Sequence, residues 1–300
     1  MSDFLSKAYF KGEIVDFKDA NISIATHALH YGTAAFGGMR ATVDPKTGQV
    51  LLFRLDDHCK RLANSAKILG YDLRADFIKK QILKFIEANP SKVDYYIRPL
   101  VYVSDLGIAP RLHNVEHDFL IYGLPMGDYL DKGGIKVCFS SWVRGEDRSL
   151  PLRGKIAGTY ITSALSKTEA HGRGFDESIL LNSAGKIAEA SAMNIFIVRD
   201  NQIITPSVNQ DILEGITRDS VIKIAKDLGY EISARAIDKS ELLIADEAFL
   251  TGTAARITRV KQIEGYSLPD QNPITQKISK EFAKIFTDPK SKYSNWITKI

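Results

Sequence analysis

The sequence predicts an α+β protein of two domains, from three observations. In some stretches apolar residues alternate or run briefly, as in β-strands; in others they recur at helical spacing. The two patterns are interleaved in both halves of the chain, which excludes a simple Rossmann arrangement. A length of 300 residues is enough for two domains or one large one. Between the halves, Pro125 to Gly134 carries three glycines among charged residues and interrupts both patterns, as a connector would. The expected boundaries are 1–124 for a smaller N-terminal domain, 125–134 for the connector and 135–300 for a larger C-terminal domain.

In the first half, Ala8 to Phe17 reads as a hairpin turned at Gly12, followed by strands at Gly37 to Thr42 and Val50 to Phe53. Asp56 or Asp57 can cap a helix in which Cys59, Leu62, Ala66 and Leu69 share a face, and Gly70 stops it. A second helix is expected over Ala75 to Ala88, then strands at Tyr95 to Val103 and Phe119 to Leu124. The second half opens on a strand, Ile135 to Val143, and a helix from about Gly158 to Ala170. Two hairpins follow, Ile179 to Leu181 with Lys186 to Ala188, and Asn194 to Val198 with Ile203 to Thr205 across Asp200-Asn201. A helix over Ile216 to Leu228 ends at Gly229.

Composition narrows the function. The net charge of +4 is dispersed along the chain, which argues against nucleic-acid binding. Cys59 and Cys138 form no CxxC pair, so a reducing, cytoplasmic setting without disulfides is expected. The longest apolar runs are four residues, such as Ile195 to Val198, and no membrane span or targeting segment is expected. His27 and His30 are three apart but lack an acidic or cysteine partner, so no metal site is expected.

The chemistry concentrates in Glu189-Ala190-Ser191-Ala192-Met193-Asn194-Ile195-Phe196 and in Leu213-Glu214-Gly215-Ile216-Thr217-Arg218. An acid before a strand can hold a protonated ring nitrogen, and a glycine-led helix start can hold a phosphate. Pyridoxal 5'-phosphate (PLP) needs both, together with a Schiff-base lysine. Lys155 in Arg153-Gly154-Lys155-Ile156-Ala157-Gly158 is available, with small neighbours that would leave room for a ring. Gly215, Ile216 and Thr217 offer N–H groups to a phosphate, Thr253 offers a hydroxyl, and Arg61 a fixed charge. In the first half, Tyr96 and Arg98 share one strand face, and Phe36, Gly38 and Arg40 share another. Aromatic surface suits a branched aliphatic side chain, while Arg98 can meet a second carboxylate.

These motifs resemble the fold-type IV (class IV) aminotransferases, D-amino acid aminotransferase-like in fold, with a small N-terminal domain and a large pseudo-barrel domain. His30-Tyr31-Gly32-Thr33, Phe36-x-Gly38-x-Arg40 and Tyr96-Ile97-Arg98-Pro99 are similar to branched-chain amino acid aminotransferases in particular, and the likeness runs from about Ala8 to Phe286. It implies reversible amino transfer between L-leucine, L-isoleucine or L-valine and 2-oxoglutarate, in a biosynthetic setting. It also implies that Tyr160 meets the cofactor's phenolic oxygen, and that Arg61 and Thr253 hold its phosphate. Tyr31, Tyr96, Arg98 and Tyr129 would then line the substrate pocket, with Thr253 and Ala254 on the α-carboxylate. A homodimer or higher oligomer is implied as well, the loop Asp105 to Asn114 closing the partner's pocket.

Two positions depart from the family pattern: Gly37 stands where glutamate is frequent, and Met126 where tryptophan is common. Arg111-x-His113 is similar to the carboxylate-holding pair of D-amino acid aminotransferases, but Tyr96-Ile97-Arg98-Pro99 favours the branched-chain type. The rivals are a D-amino acid aminotransferase, an (R)-amine transaminase, an aminodeoxychorismate lyase, or an inactive binding protein that keeps the fold.

Overall fold

The computed structural model of the chain describes residues 4–127 and 133–300. Its contacts gather them into two compact units: Met1–Gly127, Gly154–Gly158 and Lys292–Ile300 form one, Asp128–Arg153 and Thr159–Ser291 the other.

The first unit is an antiparallel sheet with its two long helices packed on one face. Its elements are β1 (Lys7–Phe10), β2 (Glu13–Asp16), α1 (His27–Tyr31), β3 (Ala34–Phe36), β4 (Met39–Val43), β5 (Val50–Phe53), α2 (Leu55–Ile68), α3 (Ala75–Glu87), β6 (Tyr95–Val103) and β7 (His117–Pro125). The sheet runs from the C-terminal strand Ile297–Lys299 through β5, β4, β6, β7 and β1 to β2, with β3 also paired to β6. Leu55 and Leu62 of α2 and Ile78, Ile82 and Phe85 of α3 bury against Tyr95, Ile97 and Ile121 of the sheet. Alternation along β6 then turns Tyr96 and Arg98 to the opposite face, away from that core.

Two expectations are corrected here. The strand expected over Gly37 to Thr42 is broken: β3 ends at Phe36 and β4 begins at Met39. Phe36 pairs with Leu100 and Met39 with Ile97, so the gap lies opposite Arg98 and Pro99. Proline has no N–H to continue the ladder on that side. The helix after β5 is not capped by Asp56 or Asp57; its cap residue is Arg54, at φ 49°, and Asp57 instead pairs with the Arg54 Nε at 2.7 Å. Arg54 is held in that left-handed conformation by donating its N–H to the Trp296 carbonyl at 2.7 Å.

The same C-terminal segment lies apart from the expected 135–300 grouping. Ile297–Lys299 pairs antiparallel with β5, and Trp296 sits edge-on to Phe53, so the chain end belongs to the first unit.

The second unit carries β8 (Ile135–Val143), α4 (Tyr160–Gly172), β9 (Glu177–Leu181), β10 (Ile187–Ala190), β11 (Asn194–Arg199), β12 (Gln202–Pro206), α5 (Ile216–Asp227), β13 (Ile232–Arg235), α6 (Lys239–Leu243), β14 (Glu247–Gly252), β15 (Arg256–Ile263), β16 (Tyr266–Ser267) and α7 (Pro273–Thr287). The strand order is β10-β9-β8-β15-β14-β11-β12-β13, parallel at β9–β8, β8–β15 and β12–β13 and antiparallel elsewhere, with β16 on β15. Asp200 and Asn201 turn the β11–β12 hairpin with φ of 50° and 63°, the conformation of a tight type I′ turn. This hairpin and the β9–β10 pair set Glu189 and Asn194 close together, five residues apart in sequence.

Nothing at the sequence level singled out α7, whose start is fixed by Glu247. This buried carboxylate accepts from the Ile274 N–H at 3.0 Å, the Thr275 N–H at 2.8 Å and the Thr275 hydroxyl at 2.6 Å, so a residue on β14 caps a distant helix. Glu247→Ala should leave two helix N–H groups and a hydroxyl unsatisfied and lower unfolding stability by about 2–4 kcal/mol in chemical denaturation; a loss below about 0.5 kcal/mol would contradict the cap.

Candidate active site

Lys155, Arg98 and Glu189 each stand in a built environment, the first two in the first unit and the third in the second. The first surrounds Lys155. Its N–H donates to the Ser65 hydroxyl at 3.0 Å, and that hydroxyl donates to the Arg61 carbonyl one turn back in α2 at 2.8 Å. Its carbonyl accepts from the Phe36 N–H at 3.0 Å, and its Nζ lies 4.8 Å from the Phe36 ring centroid. The lysine is thus anchored by its backbone to α2 and β3, and its ammonium faces an aromatic ring. The glycines around it make room for the protein's own packing. A Cβ on Gly154 would lie 2.9 Å from Ile68 Cδ1, and one on Gly32 would lie 2.7 Å from the Gly158 Cα.

His58 shares α2 with Arg61 and Ser65 and was missed at the sequence level. It is buried, its Nδ1 has no hydrogen-bond partner, and its pKa is pushed well below the ordinary imidazole value. Burial is the main cause, with the positive charges of Arg61, Arg54 and Lys155 adding to it. A neutral imidazole therefore sits where a cation would repel both Arg61 and Lys155.

The second environment is the outer face of β6. The Arg98 guanidinium lies 4.6 Å from the Phe36 ring centroid and 5.2 Å from that of Tyr96, and donates to the Tyr96 hydroxyl at 3.3 Å. A Cβ on Gly38 would lie 1.7 Å from that hydroxyl, so the glycine is what admits the tyrosine. Phe36, Gly38, Tyr96 and Arg98 lie together on this face. Arg40 is not equivalent to them: its guanidinium is engaged by Asp94 at 2.9 Å through Nη2 and 3.1 Å through Nε, and the other Asp94 oxygen accepts from the Val43 N–H. This pair ties β4 to the start of β6.

Tyr31, at the end of α1, donates its hydroxyl to the Ile108 carbonyl. His27 Nε2 donates to the Ala109 carbonyl at 3.0 Å, so α1 holds the 105–114 loop by its backbone. The side chains of Arg111 and His113 are exposed. Tyr129 lies outside the described residues.

The third environment, in the second unit, surrounds Glu189. Its carboxylate is buried; Oε1 meets an Arg144 guanidinium nitrogen at 2.9 Å, while Oε2 accepts from Asn194 Nδ2 at 2.9 Å and the Leu213 N–H at 3.2 Å. Arg144 is buried too, and its Nε donates to the Asp211 carbonyl at 3.1 Å. Asn194 Nδ2 also donates to the Leu213 carbonyl at 2.9 Å. Leu213 leads to Gly215, the N-terminal cap residue of α5, which has no side chain of its own to cap the helix. One turn in, Arg218 is buried and fixed to β12, donating to Thr205 Oγ1 at 3.3 Å and the Pro206 carbonyl at 2.8 Å. Thr217 is buried at the start of α5, Tyr160 opens α4, and Thr253 and Ala254 lie in the half-buried turn between β14 and β15. A buried acid of fixed orientation, paired with a guanidinium beside a glycine-led helix start, fits a ligand with a cationic N–H at one end and a phosphate at the other.

Among the described residues, no group of three or more His, Cys, Asp or Glu could hold a metal ion, and no helix is long and apolar enough to cross a membrane.

The model of the amino-transferase class IV family matches residues 34–263. The chain belongs to the class IV aminotransferases. A probable branched-chain-amino-acid aminotransferase of Synechocystis is 58% identical over 301 residues, covering 100% of this chain and 99% of the relative. Among solved structures, a branched-chain aminotransferase of the archaeon Thermoproteus uzoniensis with norvaline superposes with a TM-score of 0.94 at 39% identity, covering 98% of this chain and 99% of that one. A second branched-chain amino acid aminotransferase, complexed with N-(5'-phosphopyridoxyl)-L-glutamate, superposes at 0.91 and 36% identity, over 98% of each chain. The two-domain fold-type IV architecture expected from the motifs is thus the architecture of this class IV chain.

Because folding holds His58 neutral, the unfolded chain takes up a proton more readily as the pH falls below the ordinary imidazole value. Stability is full above that value and falls as the pH drops beneath it. His58→Gln should flatten this part of the pH–stability curve in denaturant titrations from about pH 7 to 5; an unchanged slope would contradict the assignment.

Proposed function

We propose that this chain is a PLP-dependent branched-chain amino acid transaminase, moving the amino group reversibly between L-leucine, L-isoleucine or L-valine and 2-oxoglutarate. The observation that carries the cofactor assignment is the buried Glu189, paired with Arg144 at 2.9 Å beside the start of α5. Full-length likeness to branched-chain enzymes, one of them holding a phosphopyridoxyl glutamate, supports the substrate pair.

When bound, PLP supplies an aldehyde that captures the substrate amine and a protonated ring that takes up electrons from the substrate Cα. Lys155 Nζ would hold the cofactor's aldehyde carbon and, as the base, would carry the proton lost by the substrate Cα. Glu189 keeps the proton on the ring nitrogen. Arg61, Thr253 and the helix start at Gly215, Ile216 and Thr217 would hold the phosphate, and Tyr160 the phenolic oxygen. Phe36, Gly38 and Tyr96 shape the side-chain pocket with Tyr31 and Tyr129, while Arg98 pairs with the second carboxylate of glutamate. Thr253 and Ala254 take the α-carboxylate.

The working form is a homodimer or higher homo-oligomer in the cytoplasm. Ile24, Leu29, Leu106 and Ile108 of the first unit are exposed, Ile24 and Ile108 by 87% and 88%, a concentration of apolar surface around α1 and the loop it holds. Buried free thiols at Cys59 and Cys138 agree with a reducing compartment.

Lys155→Ala should abolish the visible absorbance of the bound cofactor and reduce turnover of L-leucine with 2-oxoglutarate by a factor of about 10³ or more; normal turnover would remove the assignment. An amino-donor panel in both enantiomers should show activity confined to L-branched-chain donors and L-glutamate, whereas activity confined to D-donors would overturn the substrate. Ile108→Asp should shift the sedimentation coefficient toward the monomer; an unchanged oligomer would place the interface elsewhere.

A further inference from the structure

Gly215 occupies a helix-start position where it brings no side chain to cap the first turn. It is the N-terminal cap of α5, with φ −72° and ψ 133°, an ordinary extended conformation open to any L-residue. At such a position serine, threonine, asparagine or aspartate normally stabilises a helix by accepting from its first turn. Backbone conformation therefore does not account for the glycine, but space does. A Cβ built on Gly215 would lie 2.0 Å from Asn194 Oδ1 and 3.2 Å from its Cγ, far inside contact distance.

Asn194 cannot easily move aside. It is 5% exposed, it begins β11, and its backbone is registered against Thr251 of β14. Its single Nδ2 group donates twice, to Glu189 Oε2 and to the Leu213 carbonyl, both at 2.9 Å. The Leu213 N–H returns to the same Glu189 oxygen at 3.2 Å. Asn194, Glu189 and the backbone of Leu213 thus form a closed triangle, and the side of Asn194 facing away from Glu189 lies against Gly215.

We infer that Asn194 is a positioning residue, a strut that fixes the separation between the Glu189 carboxylate and the start of α5, and that Gly215 is glycine in order to admit it. The strut rests on the proposed placement of PLP, with its ring nitrogen at Glu189 and its phosphate at α5. A rigid ligand gripped at both ends binds best when the two grips are held at one spacing, because neither then has to be reorganised on binding. A ligand gripped at one end only does not depend on that spacing.

The test compares PLP with pyridoxal, which lacks the phosphate, by equilibrium binding to the full-length apoprotein. Wild type, Gly215→Ala, Asn194→Ala and the double variant are measured, with apoprotein melting followed in parallel. Gly215→Ala should weaken PLP by about tenfold or more and pyridoxal by much less. In the Asn194→Ala background, where the clash is gone, Gly215→Ala should add less than about twofold. If Gly215→Ala alone does not fold, recovery of folded protein in the double variant reports the same coupling.

Equal losses for PLP and pyridoxal, or losses that simply multiply in the double variant, would overturn the strut while leaving the cofactor assignment intact. Wild-type apoprotein that fails to bind PLP would overturn the placement beneath it.

Discussion

The pairing of Glu189 with Arg144 is the constraint on which the rest of the second unit depends. A carboxylate taken out of water without a partner keeps its proton, and a neutral acid cannot hold a second proton on a neighbouring ring. Arg144 supplies the compensating charge at 2.9 Å and is itself buried, so neither charge is tolerable without the other. The remaining donors, Asn194 and the Leu213 N–H, fix the direction in which the acid points. Burial provides the low dielectric that makes such an acid effective, and the paired guanidinium keeps it charged there.

The first unit solves a different problem with comparable means. In the proposed role, Lys155 would need a mobile amine on a fixed backbone. Its N–H and carbonyl are therefore both used, on Ser65 and Phe36, while the side chain meets an aromatic face. Pro99 interrupts the β6 ladder opposite Gly37 and Gly38, and the opened corner is filled by the Tyr96 hydroxyl rather than by another strand residue. A break in regular pairing thus becomes a shaped surface, with Arg98 held against two rings beside it. The neutral His58 beside Arg61 and Lys155 removes a cation that would compete with both.

Much of this was legible in the sequence because it rests on local patterns. Alternation in Tyr95 to Val103 gave the outward face of Tyr96 and Arg98, and the acid, strand and glycine-led helix around Glu189 announced a ring and a phosphate. What escaped was set by tertiary pairing. Arg144 carries no local signal, since its role depends on a residue forty-five positions later. Asp94, which engages Arg40, lies fifty-four positions from it in sequence. Strand propensity around Gly37 could not reveal a break caused by a proline in a neighbouring strand. Capping rules favoured Asp56 and Asp57, yet the Trp296 carbonyl of the chain end placed Arg54 there. Gly215 looked like a phosphate glycine, and only the position of Asn194 gives a steric reason for it.

The most direct test of the central claim is the protonation state of the ring nitrogen, read by nitrogen-15 NMR of labelled PLP bound to the wild-type protein and to Glu189→Gln. An ionised Glu189 requires a ring nitrogen protonated across the neutral pH range in the wild type and deprotonated in the variant. A nitrogen with the same shift in both proteins would contradict the account.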